Sequence, residues 1–174
     1  RDRFGTLVSS IVSQQISVAA ARTINTRLLE ATSSSVENPK FTPEGILEFD
    51  VDGLREFGVS RQKASYVLDL AEKVHSGAVE LESLQRQSDD AVIEILTQVK
   101  GIGVWTAQMF LMFSLGRLDI FPCDDLGIKN AIATHYQFDE LPSKSKMLEI
   151  SKPWRPYSTV ASWYLWQSLD LSDD

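Results

Sequence analysis

The stretch Ile95–Ile132, ILTQVKGIGVWTAQMFLMFSLGRLDIFPCDDLGIKNAI, decides the fold. Two apolar helical patterns are joined by Val99-Lys100-Gly101-Ile102-Gly103, and Trp105 follows in the first turn of the second helix. Two glycines around one apolar residue make a tight turn, because glycine takes backbone angles costly to other residues and leaves no side chain to block close approach. The amides of Gly101, Gly103 and Val104 then sit at a helix start, where an anion is favoured. The carbonyls on the other side of such a turn can hold a monovalent cation. On a bare GxG, an ordinary helical hairpin is an equally good reading. About twenty residues past Trp105, beyond a Phe-Pro turn, the pair Asp124-Asp125 opens another helical run. Either aspartate can cap that helix, since aspartate is a preferred N-cap.

Working outward, the rest of the chain is read as helical. Phe4, Leu7, Val8, Ile11 and Val12 carry helical spacing, and Gln14-Gln15 interrupts it. Ser17 is expected to cap a second helix, Thr42-Pro43 a third, and Ser60 one whose buried stripe is Ala64, Val67, Leu68 and Ala71. Further helices are expected over 52–57, 89–96, 104–115, 125–136, 143–150 and 156–169, with only Val79–Leu81 open to an extended reading. The fold class is all-α, with on the order of eight to ten helices and no internal repeat.

The 174 residues suffice for one domain, 1–174, with the hairpin 99–103 inside it; the start at Arg1 without Met suggests a piece of a longer chain. Hydrophobic residues make up 43% and no apolar run reaches the roughly 20 residues of a membrane span, so no membrane partner is expected. One cysteine, Cys123, excludes an internal disulfide framework and a four-cysteine iron–sulfur cluster, which fits an intracellular setting. The net charge of −7 argues against binding nucleic acid through a broad basic surface, but amides at turns and helix starts hold phosphate without formal charge.

VKGIGVWTA, with FPCDDLGI downstream, resembles the helix-hairpin-helix (HhH-GPD) superfamily of DNA glycosylases, and within it the 3-methyladenine DNA glycosylase II type. FGTLVSSIVSQQIS, GVSRQKASYVLDLA and PWRPYSTVASWYLW fall in the family's order, so the resemblance covers most of the chain. It implies two helical lobes with the active site in the cleft between them. It implies an enzyme of base excision repair that acts on double-stranded DNA containing alkylated purines, 3-methyladenine and also 7-methylguanine. The family's essential aspartate corresponds to Asp125, which leaves capping to Asp124. An ionised carboxylate beside C1′ stabilises the positive charge that builds on the sugar as the base departs.

The resemblance further places Trp105, Met109, Trp163 and Gln14 at the base pocket. It puts Gln15 at the wedge that fills the space of the flipped base, and Lys100, Gly101, Gly103 and Val104 at the DNA backbone. The main-chain carbonyls of Thr97, Val99 and Ile102 would hold a structural Na+ or K+; catalysis needs no cofactor. Trp166 and Tyr157 are either further pocket groups or core aromatics of the last helix. Relatives that also cut the backbone carry a nucleophilic lysine where this chain has Trp105, so a monofunctional enzyme without AP lyase activity is expected. Gln15 departs from an apolar wedge, Met109 from a tyrosine, and a β-rich N-terminal domain of some bacterial relatives is missing. His75 and His135 match no motif and are read as surface residues. Arg61, Lys63, Arg117 and Lys129 are, with Lys100, the candidates for phosphate contact, and most of them are read as solvated surface charges. The chain is expected to be monomeric, and cytoplasmic if bacterial or nuclear if eukaryotic. The alternatives are a non-catalytic module that recognises damaged DNA and an all-α interaction protein without a DNA role.

Overall fold

A computed structural model describes residues 2–170. Among these the chain is all-helical, with no strand, and no helix is long and apolar enough to cross a membrane. It divides into two compact units, Arg1–Phe110 and Leu111–Asp174.

The first unit holds α1 (Arg3–Ser13), α2 (Val18–Thr32), α3 (Pro43–Leu47), α4 (Val51–Arg55), α5 (Arg61–His75), α6 (Asp89–Thr97) and most of α7 (Val104–Phe113). Small polar residues start these helices. Ser17, Thr42, Asp50, Ser60 and Ser88 each accept the N–H three residues on, so an otherwise unpaired donor is satisfied at the starts of α2 to α6. α5 is the central element and packs on α1, α3 and α4. Its buried stripe is Ala64, Val67, Leu70 and Ala71; Leu70 rather than Leu68 takes the fully buried place. The core continues through Leu7, Val8, Ile11, Leu28, Ile46, Leu54, Leu84, Val92 and Leu96.

One member of the α5 stripe is charged. Asp69 is only 8% exposed. Its Oδ2 accepts from Lys73 Nζ at 2.7 Å and from the Lys100 main-chain N–H at 2.9 Å, and Lys100 Nζ lies 3.5 Å from Oδ1. Burial pushes this carboxyl up, but the Lys73 and Lys100 hydrogen bonds and charges together outweigh burial and hold it below the usual carboxylate range.

The second unit holds α8 (Leu126–His135), α9 (Lys144–Ser151) and α10 (Ser158–Asp170), with α8 packed on α10. Cys123, Ile128, Ile132 and Met147 form its core, flanked by Phe121, Trp154, Leu165 and Trp166. Burial raises the Cys123 thiol, aided by the neighbouring Asp124 charge.

Several boundaries differ from the sequence reading by one to two residues, and at three helices the structure shows what sets the end. α7 stops at Phe113, not Leu115: Gly116 adopts a left-handed conformation (φ +70°) and the Arg117 N–H turns back to the Leu111 carbonyl at 2.9 Å. α8 runs from Leu126 to His135, not from Asp125 to Tyr136; beyond it Gln137 is also left-handed (φ +56°), and the Phe138 N–H closes on the Ala133 carbonyl. α10 begins at Ser158, not Pro156, because Asp119 Oδ1 receives the Ser158 hydroxyl at 2.6 Å and the Thr159 N–H bonds to the Leu118 carbonyl. Val79–Leu81 forms no strand; Val79 and Leu81 are buried ahead of a 3-10 turn, Ser83–Arg86, that periodicity did not reveal.

Asp69→Ala is expected to lower stability by about 1–3 kcal/mol, because it strands the Lys100 amide. The folded-state carboxyl is depressed, so its contribution is complete above the unfolded value of about 3.9 and fades as pH falls through the folded one. Denaturant midpoints of the wild type and Asp69→Asn should therefore stay a constant distance apart above about pH 4 and converge as the pH falls below it, through the folded-state value.

Candidate active site

Asp69 ties the Val99–Gly103 hairpin to α5, and the glycines of that hairpin do different work. Gly101 has φ +81°, and a Cβ placed there would lie 2.1 Å from the Tyr66 ring. It packs inward, against α5. A Cβ on Gly103 would meet nothing within 4 Å. Gly103 is exposed, its carbonyl accepts the Ala107 N–H, and it opens α7, whose first-turn N–H groups have no intrahelical acceptor. Val104 and Trp105 are also exposed, at 53% and 47%. The outer face of the turn is thus a bare backbone at a helix start, suited to an anion.

On the hairpin's other side, Val99 and Ile102 are buried, and the Val99 carbonyl accepts the Ile102 N–H at 3.1 Å. Thr97 ends α6, where helix carbonyls run out of intrahelical donors. A carbonyl oxygen has two lone pairs, so this set is chemically suited to a monovalent cation.

Gln14 and Gln15 meet the hairpin. Gln14 Nε2 donates to the Gly101 carbonyl at 2.9 Å. Lys63 of α5 donates to the Val12 carbonyl at 2.8 Å and to the Gln14 carbonyl at 2.6 Å. Lys63 is therefore a clamp on the end of α1, not a solvated charge, and burial lowers its ammonium. Gln15, at the apex, is exposed and left-handed (φ +56°), an uncommon state for a residue other than glycine.

Gln14 and Gln15 border a pocket of about 970 Å³, lying wholly within the first unit. Trp105, Met109, Phe41 and Leu29 supply its apolar lining. Gln14, Gln15, Thr106 and the polar face of α1 (Thr6, Ser9, Ser10, Ser13) supply hydrogen-bonding groups. The volume is near the top of the usual small-molecule range of about 300–1,000 Å³. An exposed indole beside a thioether and a row of hydroxyls suits a flat, partly polar ring, and the aromatic face attracts a cation.

The second unit carries Asp125 and Trp163. The sequence reading gave the cap of α8 to Asp124, and the structure reverses this. Asp125 is the N-cap: its Oδ1 accepts the Ile128 N–H at 2.8 Å, and the same oxygen accepts Trp166 Nε1–H at 3.0 Å. Asp124 points to solvent and pairs with Lys144 at 2.9 Å and Lys129 at 3.6 Å; the Lys144 hydrogen bond is the main cause of its lowered carboxyl. Lys129 is thus engaged within its own unit. Trp163 is 47% exposed and meets Tyr164 edge-on at 5.2 Å. Tyr157 is 57% exposed and so is no core aromatic, whereas Trp166 is partly buried.

Arg61 pairs with Asp52 at 2.7 Å. His75 pairs with Glu44 and His135 bonds to Ser168, both at the surface. Sequence reading missed Asp69, Lys63, the Trp166 bond and the hydroxyl row of α1. A carboxylate on an apolar stripe was the available signal for Asp69, and hydroxyls at helical spacing opposite the apolar face were the signal for α1.

An all-helical chain with an inward and an outward glycine in one hairpin defines a helix-hairpin-helix protein. Residues 8–156 match the HhH-GPD superfamily of base excision DNA repair proteins, and the chain belongs to that family. A Bacillus subtilis protein with a provisional DNA-3-methyladenine glycosylase name is 37% identical over 96% of this chain, which spans 59% of that relative's length. DNA-3-methyladenine glycosylase 1 of Schizosaccharomyces pombe is 36% identical over 99% of this chain and 75% of its own. A solved structure of the Schizosaccharomyces pombe 3-methyladenine DNA glycosylase in complex with abasic DNA superposes with a TM-score of 0.85, at 36% identity, covering 100% of this chain and 84% of that one.

Gly101→Ala should lower the melting temperature sharply, since the methyl meets the Tyr66 ring and the backbone is left-handed. Gly103→Ala, in open space, should shift it far less and should weaken duplex binding instead; thermal melts and a binding titration at fixed salt separate the two.

Proposed function

We propose that this chain is a DNA glycosylase that hydrolyses the N-glycosidic bond of alkylated purines, 3-methyladenine foremost and 7-methylguanine with it, in double-stranded DNA. The observation that carries the reading is the pocket that Gln14, Gln15, Trp105 and Met109 line together. Family membership and the names of the relatives support it.

A base in a duplex is out of reach, so the nucleotide must turn out of the stack. The exposed Gln15 at its turn is the wedge, able to fill the vacated space and to hydrogen-bond the orphaned partner base. Trp105 holds the extruded, positively charged ring by its aromatic face, and Met109 packs against it without a polar demand; the exposed Trp163 is a second aromatic face able to attract such a ring. The amides of Gly101, Gly103 and Val104, with Lys100 beside them, take the phosphate. A Na+ or K+ on the Thr97, Val99 and Ile102 carbonyls would add positive charge there.

Asp125 is the catalyst. A cationic base is already a good leaving group and needs no general acid. What the reaction needs is negative charge beside C1′ as the sugar becomes oxocarbenium-like, and the start of α8 favours an anion at this position. Trp105 has no amine, so no Schiff base forms there and the product is an intact strand with an abasic site. The protein acts as a monomer.

Methylated duplex incubated with the wild type should release 3-methyladenine, and Asp125→Asn should bind abasic duplex but release base about 10²–10³-fold more slowly. Equal release by both would remove Asp125 from the mechanism. Binding without release by the wild type would mean a recognition module. Borohydride added during turnover should trap no covalent protein–DNA adduct; a trapped adduct would refute the monofunctional reading.

A further inference from the structure

Trp166 takes no part in the mechanism above, yet it touches the group on which that mechanism depends. Its Nε1–H donates to Asp125 Oδ1 at 3.0 Å, beside the 2.8 Å bond from the Ile128 N–H. A helix cap requires only the second of these. Asp50, which caps α4, takes the Gly53 amide alone among the described contacts. One donor fixes one oxygen and leaves the carboxylate free to swing about it; two donors from different directions on the same oxygen remove that freedom.

Three features keep the indole in place. Trp166 packs on the Ile128–Ile132–Met147 core. The Phe113 ring lies 6.1 Å from it, tilted by 36°. Gly127 stands between the partners: a Cβ there would be 3.1 Å from Asp125 Oδ1 and 3.3 Å from Trp166 Cδ1, so a side chain at 127 would press on both ends of the bond.

We infer that Trp166 is a positioning residue for the reaction: its indole N–H, by holding Oδ1, sets the direction in which the Asp125 carboxylate meets the sugar. The inference rests on Asp125 as the catalytic group. It assigns Trp166 a polar task that an aromatic wall or core residue would not have, and it gives the glycine of the DDLGI segment a reason.

Single-turnover base release from a methylated duplex tests it, with affinity for abasic duplex and melting temperature measured alongside. Trp166→Phe keeps the ring and loses the donor. Its rate should fall about 10-fold while abasic-duplex affinity stays within about twofold. Trp166→His can place its Nε2–H where the indole N–H was, and should recover most of the rate. Added to Asp125→Asn, Trp166→Phe should cost nothing further. Gly127→Ala keeps the indole but presses its methyl on both ends of the bond, and should slow release several-fold; should Trp166→Phe fail to fold, this variant decides. A Trp166→Phe rate within twofold of wild type, a His variant as slow as the Phe variant, or losses that add in the double variant would each overturn the inference. If Asp125→Asn itself releases base as fast as wild type, the catalytic reading of Asp125 falls, and this inference with it.

Discussion

The first unit depends on a buried negative charge. Asp69 sits on the apolar stripe of α5, where a carboxylate is tolerated only if every donor around it is engaged. Lys73 meets that need within the same helix, one turn on. The Lys100 amide meets it from the hairpin, 31 residues away in sequence. Satisfying the charge therefore fixes where the Val99–Gly103 turn lies on α5. Tyr66, one turn before Asp69, completes the seat by filling the space a side chain at Gly101 would need. Lys63, one turn earlier still, draws the end of α1 to the same helix face. Three successive turns of α5 thus place the end of α1, which lines the pocket, and the hairpin that leads into the pocket residues Trp105 and Met109.

The second unit uses the same economy on a smaller scale. Asp119 secures the start of α10 through Ser158 and Arg155, while Asp125 starts α8 and is in turn bound by α10 through Trp166. Each acid joins a helix start to a distant residue. Asp124, between them in sequence and on the solvent side, makes only exposed ion pairs, which are worth little. Two adjacent aspartates thus have unlike surroundings because the turn before α8 points one inward and the other out.

The helices were legible in the sequence because their signals are local. Ser17, Thr42-Pro43 and Ser60 announce their helices, and the spacing of Phe4, Leu7, Val8, Ile11 and Val12 announces a buried face. The hairpin was legible for the same reason, since Gly-x-Gly between apolar runs is a local pattern. Which aspartate caps α8 was not legible: either side chain can reach an amide three residues on, and only the course of the turn before α8 turns Asp125 to the Ile128 amide and Asp124 to Lys144. Lys63 and Asp69 were hidden by the same kind of distance. A lysine reads as solvated until the carbonyls it binds, 49 and 51 residues earlier, are brought to it. The ends of α7 and α10 were missed because left-handed Gly116 and the Asp119–Ser158 bond set them, and neither has a period.

The turn at Gln14-Gln15 has a consequence for how such a protein diversifies. Every anchor on it grips something other than the Gln15 side chain: Lys63 binds main-chain carbonyls, and Gln14 reaches back to the Gly101 carbonyl. The position of residue 15 is therefore set independently of its identity. Its backbone is left-handed, so β-branched residues are disfavoured there, while unbranched side chains are admitted, Asn and Asp most readily. The fold holds out a finger whose tip can be exchanged by single substitutions while the rest of the hand stays still.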